Sequence, residues 1–303
     1  MQRLPLLFTL VVALAGCSNA PAAADIGDDG GKGGGAGASS GGAGGTGGKA
    51  QCDPGPGYGE AVEAQALESV SATLLDADGE PVADEVFFVC GVDLCSPPAR
   101  TGADGRVTVS PATPLVEKKP AAKFGEGILT PRFAVLLPRE SVIDLGVVHT
   151  ARLPALSTGA PLVPGSEASS GGLTLMPSAG TQIKIDQLTY ESAAEQAFRA
   201  VKVPLDRAPE LIDASVGLEV VYGATPVETR FCPPAKLRIE NTEGWTPNTD
   251  VEVLLHGVAI EEEFAPYGGW AKVSDARVSA DGLSIETTSP GLPVLGVIGL
   301  RRK

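Results

Sequence analysis

Cysteine and histidine are the scarce nucleophiles and metal ligands of this chain, with five and two copies in 303 residues. The cysteines are Cys17, Cys52, Cys90, Cys95 and Cys232. Cys90 and Cys95 stand close together in CGVDLC, whereas Cys52 and Cys232 stand alone. A four-sulfur zinc site is commonly built from two close Cys-x-x-Cys pairs, so the spacing points away from zinc. In an oxidising compartment the last four cysteines are disulfide candidates. Cys90 with Cys95 would close a tight loop at a strand end, and Cys52 with Cys232 would then pair over a long range. Four cysteines allow three pairings, and spacing does not choose among them. No metal and no cofactor is expected.

His149 lies in VVHTA and His256 in LLHGV, both inside apparent strands, where structural roles are expected. No nucleophile elbow between strand and helix accompanies them, and neither begins an H-E-x-x-H. Carboxylates are plentiful and discriminate nothing, because a glycosidase needs two at a set separation that spacing alone does not supply. Glu261, Glu262 and Glu263 read as a solvated loop. DADGEPVADEV places glycine at position 4, where an EF-hand calcium loop needs it at position 6, so hairpin turns are the better reading. Trp245, Trp270 and Tyr267 could form a sugar-stacking platform if exposed and coplanar, and core or sheet-edge packing is the alternative. No catalytic residue is assigned.

The elements that must position these residues read as β-structure. Val70, Ala72 and Leu74 alternate with polar neighbours, DADGEP reads as a turn, and Val86–Val89 as a more buried strand. TGADGRVTVS offers an Asp-Gly turn, a strong hairpin signal, followed by alternating Val107 and Val109. Residues 132–137 and 143–148 fit two further strands. This order, with D-x-x-G-x-P-V at Asp76–Val82 and T-x-x-D-G-R at Thr101–Arg106, resembles the carboxypeptidase regulatory-like family, a transthyretin-like β-sandwich. The resemblance covers about 85 residues and includes the ending IDLGVVHTARL. The Cys90–Cys95 insertion and the loop at 118–120 depart from the short form. The resemblance implies a non-catalytic accessory or spacer module of exported proteins.

Beyond PALSTGAPLVPGSEASSGG, which reads as a linker, eight short stretches alternate apolar with polar residues and suggest a second antiparallel sandwich. Residues 190–201 could instead make a short helix, with Tyr190, Ala194, Ala197 and Val201 near one face. GGLTLMPSAGTQIKI and RFCPPAKLRI also resemble the β-sandwich domain shared by ankyrins and netrin receptors. The run 292–300 is too short to span a bilayer and reads as a buried strand.

The start of the chain carries one charge, Arg3, before the apolar run 4–14. About 11 residues in a helix reach only about 16 Å, so the run reads as a secretory signal peptide and not as a membrane span. It leads into Leu14-Ala15-Gly16-Cys17, which resembles the lipobox of bacterial lipoproteins. The resemblance implies cleavage before Cys17, a diacylglycerol on its thiol and acylation of the new amine, and two chains suffice for stable anchoring. Ser18, with no aspartate following Cys17, resembles the pattern of Gram-negative lipoproteins sent to the outer membrane. Residues 27–48 are almost all glycine and small polar residues, which cannot bury enough apolar surface to offset ordering. As a coil, the roughly 35 residues from Cys17 to Cys52 span about 30–35 Å.

The expected organisation is a signal peptide (1–16), a lipidated cysteine with a disordered Gly-rich linker (17–60), a carboxypeptidase regulatory-like sandwich (61–155), a linker (156–170) and a second sandwich (171–303). The fold class is all-β, with two antiparallel β-sandwich domains of immunoglobulin-like or transthyretin-like type. A net charge of −14 disfavours nucleic acid, whose phosphates need Lys and Arg, and direct adsorption on anionic lipid headgroups. The expected role is a membrane-anchored, non-catalytic structural or interaction module of the cell envelope. It would meet the membrane through its lipid and an envelope protein or polysaccharide through its body. The alternatives are a carbohydrate- or peptidoglycan-binding lipoprotein and, behind it, a hydrolase.

Overall fold

Ser69–Asp76 buries every second residue, because alternate side chains of a strand point to opposite faces. That period organises the whole molecule. The structure, a computed structural model, describes residues 63–91, 94–111, 115–207 and 209–303. The signal peptide, Cys17, Cys52 and the Gly-rich run expected from the sequence lie outside the described residues.

The first half contains β1 (Ala64–Leu67), β2 (Ser69–Asp76), β3 (Val86–Cys90), β4 (Ala99–Arg100), β5 (Arg106–Val109), β6 (Leu115–Lys118), β7 (Ala121–Phe124), β8 (Phe133–Leu136) and β9 (Val142–Thr150). β1 pairs with β6. A three-stranded sheet, β5-β2-β9, faces a four-stranded sheet, β4-β3-β7-β8. Val70, Leu74, Val107 and Ile143 from the first meet Phe87, Val89, Phe124 and Phe133 from the second in one buried cluster. The pairing is antiparallel except between β2 and β9, which run parallel.

The two Asp-Gly turns form, the first closed by an antiparallel bridge between Leu75 and Pro81, but neither joins two paired strands of one sheet. In the first, the Asp76 carboxylate accepts from the N–H groups of Asp78 and Glu80. It leads from β2 in one sheet to β3 in the other. The second leads from β4 back to β5. A Cβ on Gly105 would lie 2.4 Å from the Leu74 carbonyl oxygen, and its φ is +75°, so only glycine fits this crossing.

The second half contains β10 (Ala168–Ser170), β11 (Leu173–Met176), β12 (Gln182–Lys184), β13 (Arg199–Val203), β14 (Val220–Thr225), β15 (Arg230–Glu240), β16 (Asp250–His256), β17 (Trp270–Val278), β18 (Ser284–Ser289), β19 (Leu292–Val294) and β20 (Val297–Arg302). They form one antiparallel sheet in the order β10-β11-β15-β18-β17-β16-β20-β14-β13, with β12 and β19 also on β15. The sheet curls until its ends approach. The Ser170 hydroxyl on β10 accepts from the Ala200 N–H on β13 at 3.0 Å. Leu173, Leu175, Phe198, Leu237, Val253 and Ile298 fill the interior with their neighbours.

The stretch 156–170, expected as a linker, carries a 3-10 turn at Leu156–Thr158 and strand β10. The halves also share a core: Val203, Leu211, Val221 and Val297 belong to the same buried cluster as Val70 and Phe87. All described residues fall in one compact unit. The short helix considered for 190–201 is absent. Tyr190 is pinned through its hydroxyl and β13 begins at Arg199. The apolar run 292–300 forms β19 and β20. Among the described residues no helix is long and apolar enough to cross a membrane.

Candidate functional site

The most unusual chemistry lies along the seam where the sandwich meets the curled sheet, because ionisable side chains are buried there. Arg199 opens β13 and is 1% exposed. Its guanidinium donates to the carbonyls of Ile128 (2.9 Å), Pro154 (2.9 Å) and Gly127 (3.1 Å). Nε has no partner among the described residues. The acceptors belong to the first half, so a cation from one half is clamped by backbone dipoles of the other. Tyr190 works alongside it: its hydroxyl donates to the Glu126 carbonyl and accepts from the Val227 N–H. Burial raises the proton affinity of this phenol. Gly127 makes room for both, since a Cβ there would come 2.7 Å from the Tyr190 hydroxyl.

His256 ends β16 and is buried. Its Nδ1 donates to the Gly269 carbonyl at 3.0 Å, and its Nε2 accepts from the Ala134 N–H of β8 at 3.1 Å. That pair of bonds selects the neutral ring protonated on Nδ1. Phe133 and Trp270 pack on either side, with centroids 5.7 and 4.9 Å away. Burial lowers its pKa to about 4, against the opposing effect of the two backbone bonds.

Lys123 of β7 is 7% exposed, with its ammonium 5.1 Å from the Tyr267 ring centroid and 5.7 Å from that of Phe88. Burial, then Arg132, lower its pKa to about 8, while Glu228 and Glu261 oppose. Glu85 is buried beneath the same sheet, accepting from the Val86 N–H and the Thr130 hydroxyl. Burial raises its carboxyl above the ordinary range despite those bonds.

The residues singled out from the sequence fall in separate places. Trp245 is buried in the curled sheet's core, held by Asn241 through two backbone bonds and covered by the Arg302 guanidinium at 5.6 Å. Trp270 is half-buried against His256 and Gly299. Tyr267 is fully buried and donates to the Cys90 carbonyl. The exposed, coplanar aromatic platform considered for these three does not form, because each ring serves as packing. His149 lies 3.4 Å from Glu210 near the surface, away from the seam partners of His256. The acidic triplet is only partly a solvated loop: Glu262 is buried, pairs with Lys119 and accepts from the Tyr267 N–H, while Glu263 pairs with Arg230.

Cys90 and Cys95 form a disulfide with Cα atoms 4.0 Å apart. Cys232 is also disulfide-bonded. Among those residues no group of three or more His, Cys, Asp or Glu side chains converges on a metal site.

Two clefts adjoin these groups. One of about 40 Å³ lies beside His256, with Glu228, Arg230, Glu263 and Leu295 among its walls, and it has room for little more than water. A more open cleft of about 490 Å³ has an apolar floor of Val203, Pro204, Leu205 and Val220, with Lys202, Asp206, Glu219 and Glu243 around it. Two of those carboxylates are already paired, Glu243 with Lys202 and Glu219 with Arg302.

The sequence reading missed Arg199 and the loop that receives it. The signals were an arginine inside the apolar run AFRAV and two glycines one residue apart in FGEGIL. No protein-family model and no curated protein matches the chain.

Proposed function

We propose that this chain is an exported lipoprotein, held to a membrane through lipid on Cys17, whose all-β body is a non-catalytic structural or interaction module of the cell envelope. The observation that carries the reading is how the buried polar groups are used. Arg199, His256 and Tyr190 spend their donors and acceptors on backbone groups across the seam. The bonds to Ile128, Pro154, Ala134 and Glu126 hold two halves as one body, and they turn these groups to backbone partners, with only the buried Arg199 Nε left over.

Supporting features are Leu14-Ala15-Gly16-Cys17, the Gly-rich run that follows, and the facing three- and four-stranded sheets where the carboxypeptidase regulatory-like resemblance lies. An outer-membrane location follows from Ser18 by the same resemblance, with an envelope protein or polysaccharide as partner. The carbohydrate-binding reading loses its support with Trp245 and Tyr267 buried. The hydrolase reading loses its buried histidine, since both His256 nitrogens are committed.

The test is cell fractionation of wild type and Cys17→Ala, with protease added to intact cells. Wild type is expected with the membranes and the variant in the soluble fraction. Digestion from outside would place the partner on the exterior, and protection would direct the search to the periplasm and cell wall. Equal membrane association of the two forms would sink the anchor.

A further inference from the structure

His256 bonds β8 of the sandwich directly to β16 of the curled sheet, and it has no spare site for a proton. Nδ1 already carries a hydrogen given to the Gly269 carbonyl, and Nε2 is the acceptor for the Ala134 N–H. A proton added to Nε2 would set N–H against N–H at the present 3.1 Å, and the imidazolium has no carboxylate bond to compensate.

We propose that His256 makes the seam between sandwich and curled sheet an acid-sensitive junction: protonation of Nε2 expels the Ala134 N–H and parts β8 from β16, while the sheets on either side stay folded.

The surroundings favour a local opening. Phe133 from β8 and Trp270 from β17 cover the ring's faces and offer the cation no hydrogen bond. Charged groups occur on every neighbouring segment. On β7, Lys123 lies in register with Ala134 and holds its ammonium over the Tyr267 and Phe88 rings. Before β8, Arg132 pairs with Glu228. On β16 and β17, Glu252 and Lys272 pair with each other, and Glu252 also with Arg301 of β20. In the loop after β16, Glu262 pairs with Lys119 and Glu263 with Arg230. Glu228, Arg230 and Glu263 share the small cleft with the ring, which gives water a place to follow the proton. Burial, not any of these charges, dominates the ring's proton affinity.

The three-stranded sheet β5-β2-β9 lies on the far side of the sandwich from β8 and shares no strand pairing with the seam. It therefore serves as an internal control.

The experiment uses the two-histidine chain directly. Ring ¹⁵N NMR follows His149 and His256 from pH 7.5 to 4, and hydrogen exchange is read on the same samples, corrected for the intrinsic pH dependence of exchange. His256 is expected to stay neutral, protonated on Nδ1, until the pH nears about 4. As it protonates, the Ala134 amide and β16 amides should lose protection at least tenfold, while β2 and β9 amides keep theirs. In His256→Gln, whose side chain retains an acceptor but does not titrate, the acid-induced loss should vanish. Protonation of His256 without loss at Ala134 would overturn the proposal. So would simultaneous loss in β2 and β9, which is global unfolding, or an unchanged acid response in a folded His256→Gln. The wild-type titration decides the matter even if that variant does not fold.

Discussion

Replacing Arg199 separates two opposing effects that the seam holds in balance. Arg199→Met keeps most of the side-chain volume and removes the charge. It relieves the cost of burying a cation that has no carboxylate hydrogen bond among the described residues, and it removes the unpartnered Nε. It also strips three carbonyls of their donor. Gly127 keeps one, because the Thr225 hydroxyl donates to the same oxygen at 2.6 Å. Ile128 and Pro154 have no other protein donor among the described residues, but both are half-buried and partly open to water. An orphaned acceptor costs about 1–3 kcal/mol, toward the low end where water can reach, and hydrogen bonds to a charged group contribute about 1.5–3 kcal/mol each. The relief offsets part of this, leaving a net loss of about 2–3 kcal/mol. For a body of this size that lowers Tm by roughly 4–12 °C. Arg199→Lys discriminates the cause. If charge alone stabilises the seam, lysine restores most of the loss. If the planar fork is what counts, a single, strongly hydrated ammonium does no better than methionine, and this is the expected result. Urea denaturation and calorimetry of the three proteins provide the assay. An Arg199→Met protein as stable as wild type would refute the reasoning.

Three further outcomes follow from the same seam, and one from its pH dependence. Glu85 has a raised folded pKa, so its charged form is disfavoured in the fold and stability falls as pH rises through that value. Glu85→Gln is expected to be neutral or to stabilise by up to about 1 kcal/mol at pH 7, as read by urea midpoints, and a large loss would contradict it. Lys123 has a folded pKa of about 8 against 10.5, so stability rises between pH 8 and 10.5, and Lys123→Met should abolish that rise in a pH series of melts. Gly223→Ala would put a Cβ 2.0 Å from Pro131 Cγ. It should cost about 1–3 kcal/mol or more by overpacking, and an unchanged Tm would show that the loop at Pro131 yields freely. For His256, a folded pKa of about 4 against 6.5 gives stability that is complete above pH 6.5 and falls as pH drops toward 4. The total is about 3 kcal/mol at 1.36 kcal/mol per unit, measured as wild type minus His256→Gln.

Strand existence was legible because its signal is local. The alternation of Val70, Ala72 and Leu74 predicted β2, and Val86–Val89 predicted the more buried β3. The Cys90–Cys95 pairing was legible as one of three candidates. Partner choice was not local, and there the reading departed from the structure. Asp76 and Gly79 specify a turn, but whether the chain then doubles back in one sheet or crosses to the other depends on which buried face the next strand must cover. The Ser/Gly/Pro composition of 156–170 resembles a linker, yet Ala168 is buried and Ser170 bridges to Ala200, contacts set by residues 30 positions away. The aromatic candidates failed for a related reason: tryptophan flanking a strand carries no sign of which side it faces. Arg199 was missed because a single arginine in an apolar run reads as a strand-end charge until the carbonyls of residues 127, 128 and 154 are seen around it.

β20 lies between β16 and β14 in the curled sheet, although Val297–Arg302 are the last strand residues in chain order. A polypeptide growing from its N-terminus has every other strand of that sheet available before this one. Until residues 297–302 arrive, β14 has a partner only in β13, and β16 only in β17. Without β20 the β13–β14 pair would be tied to the rest of the sheet only at its β10 end, through contacts such as Ser170 with Ala200. A chain lacking Val297–Arg302 would therefore keep two open sheet edges, on β14 and β16, a ready template for pairing with its own copies.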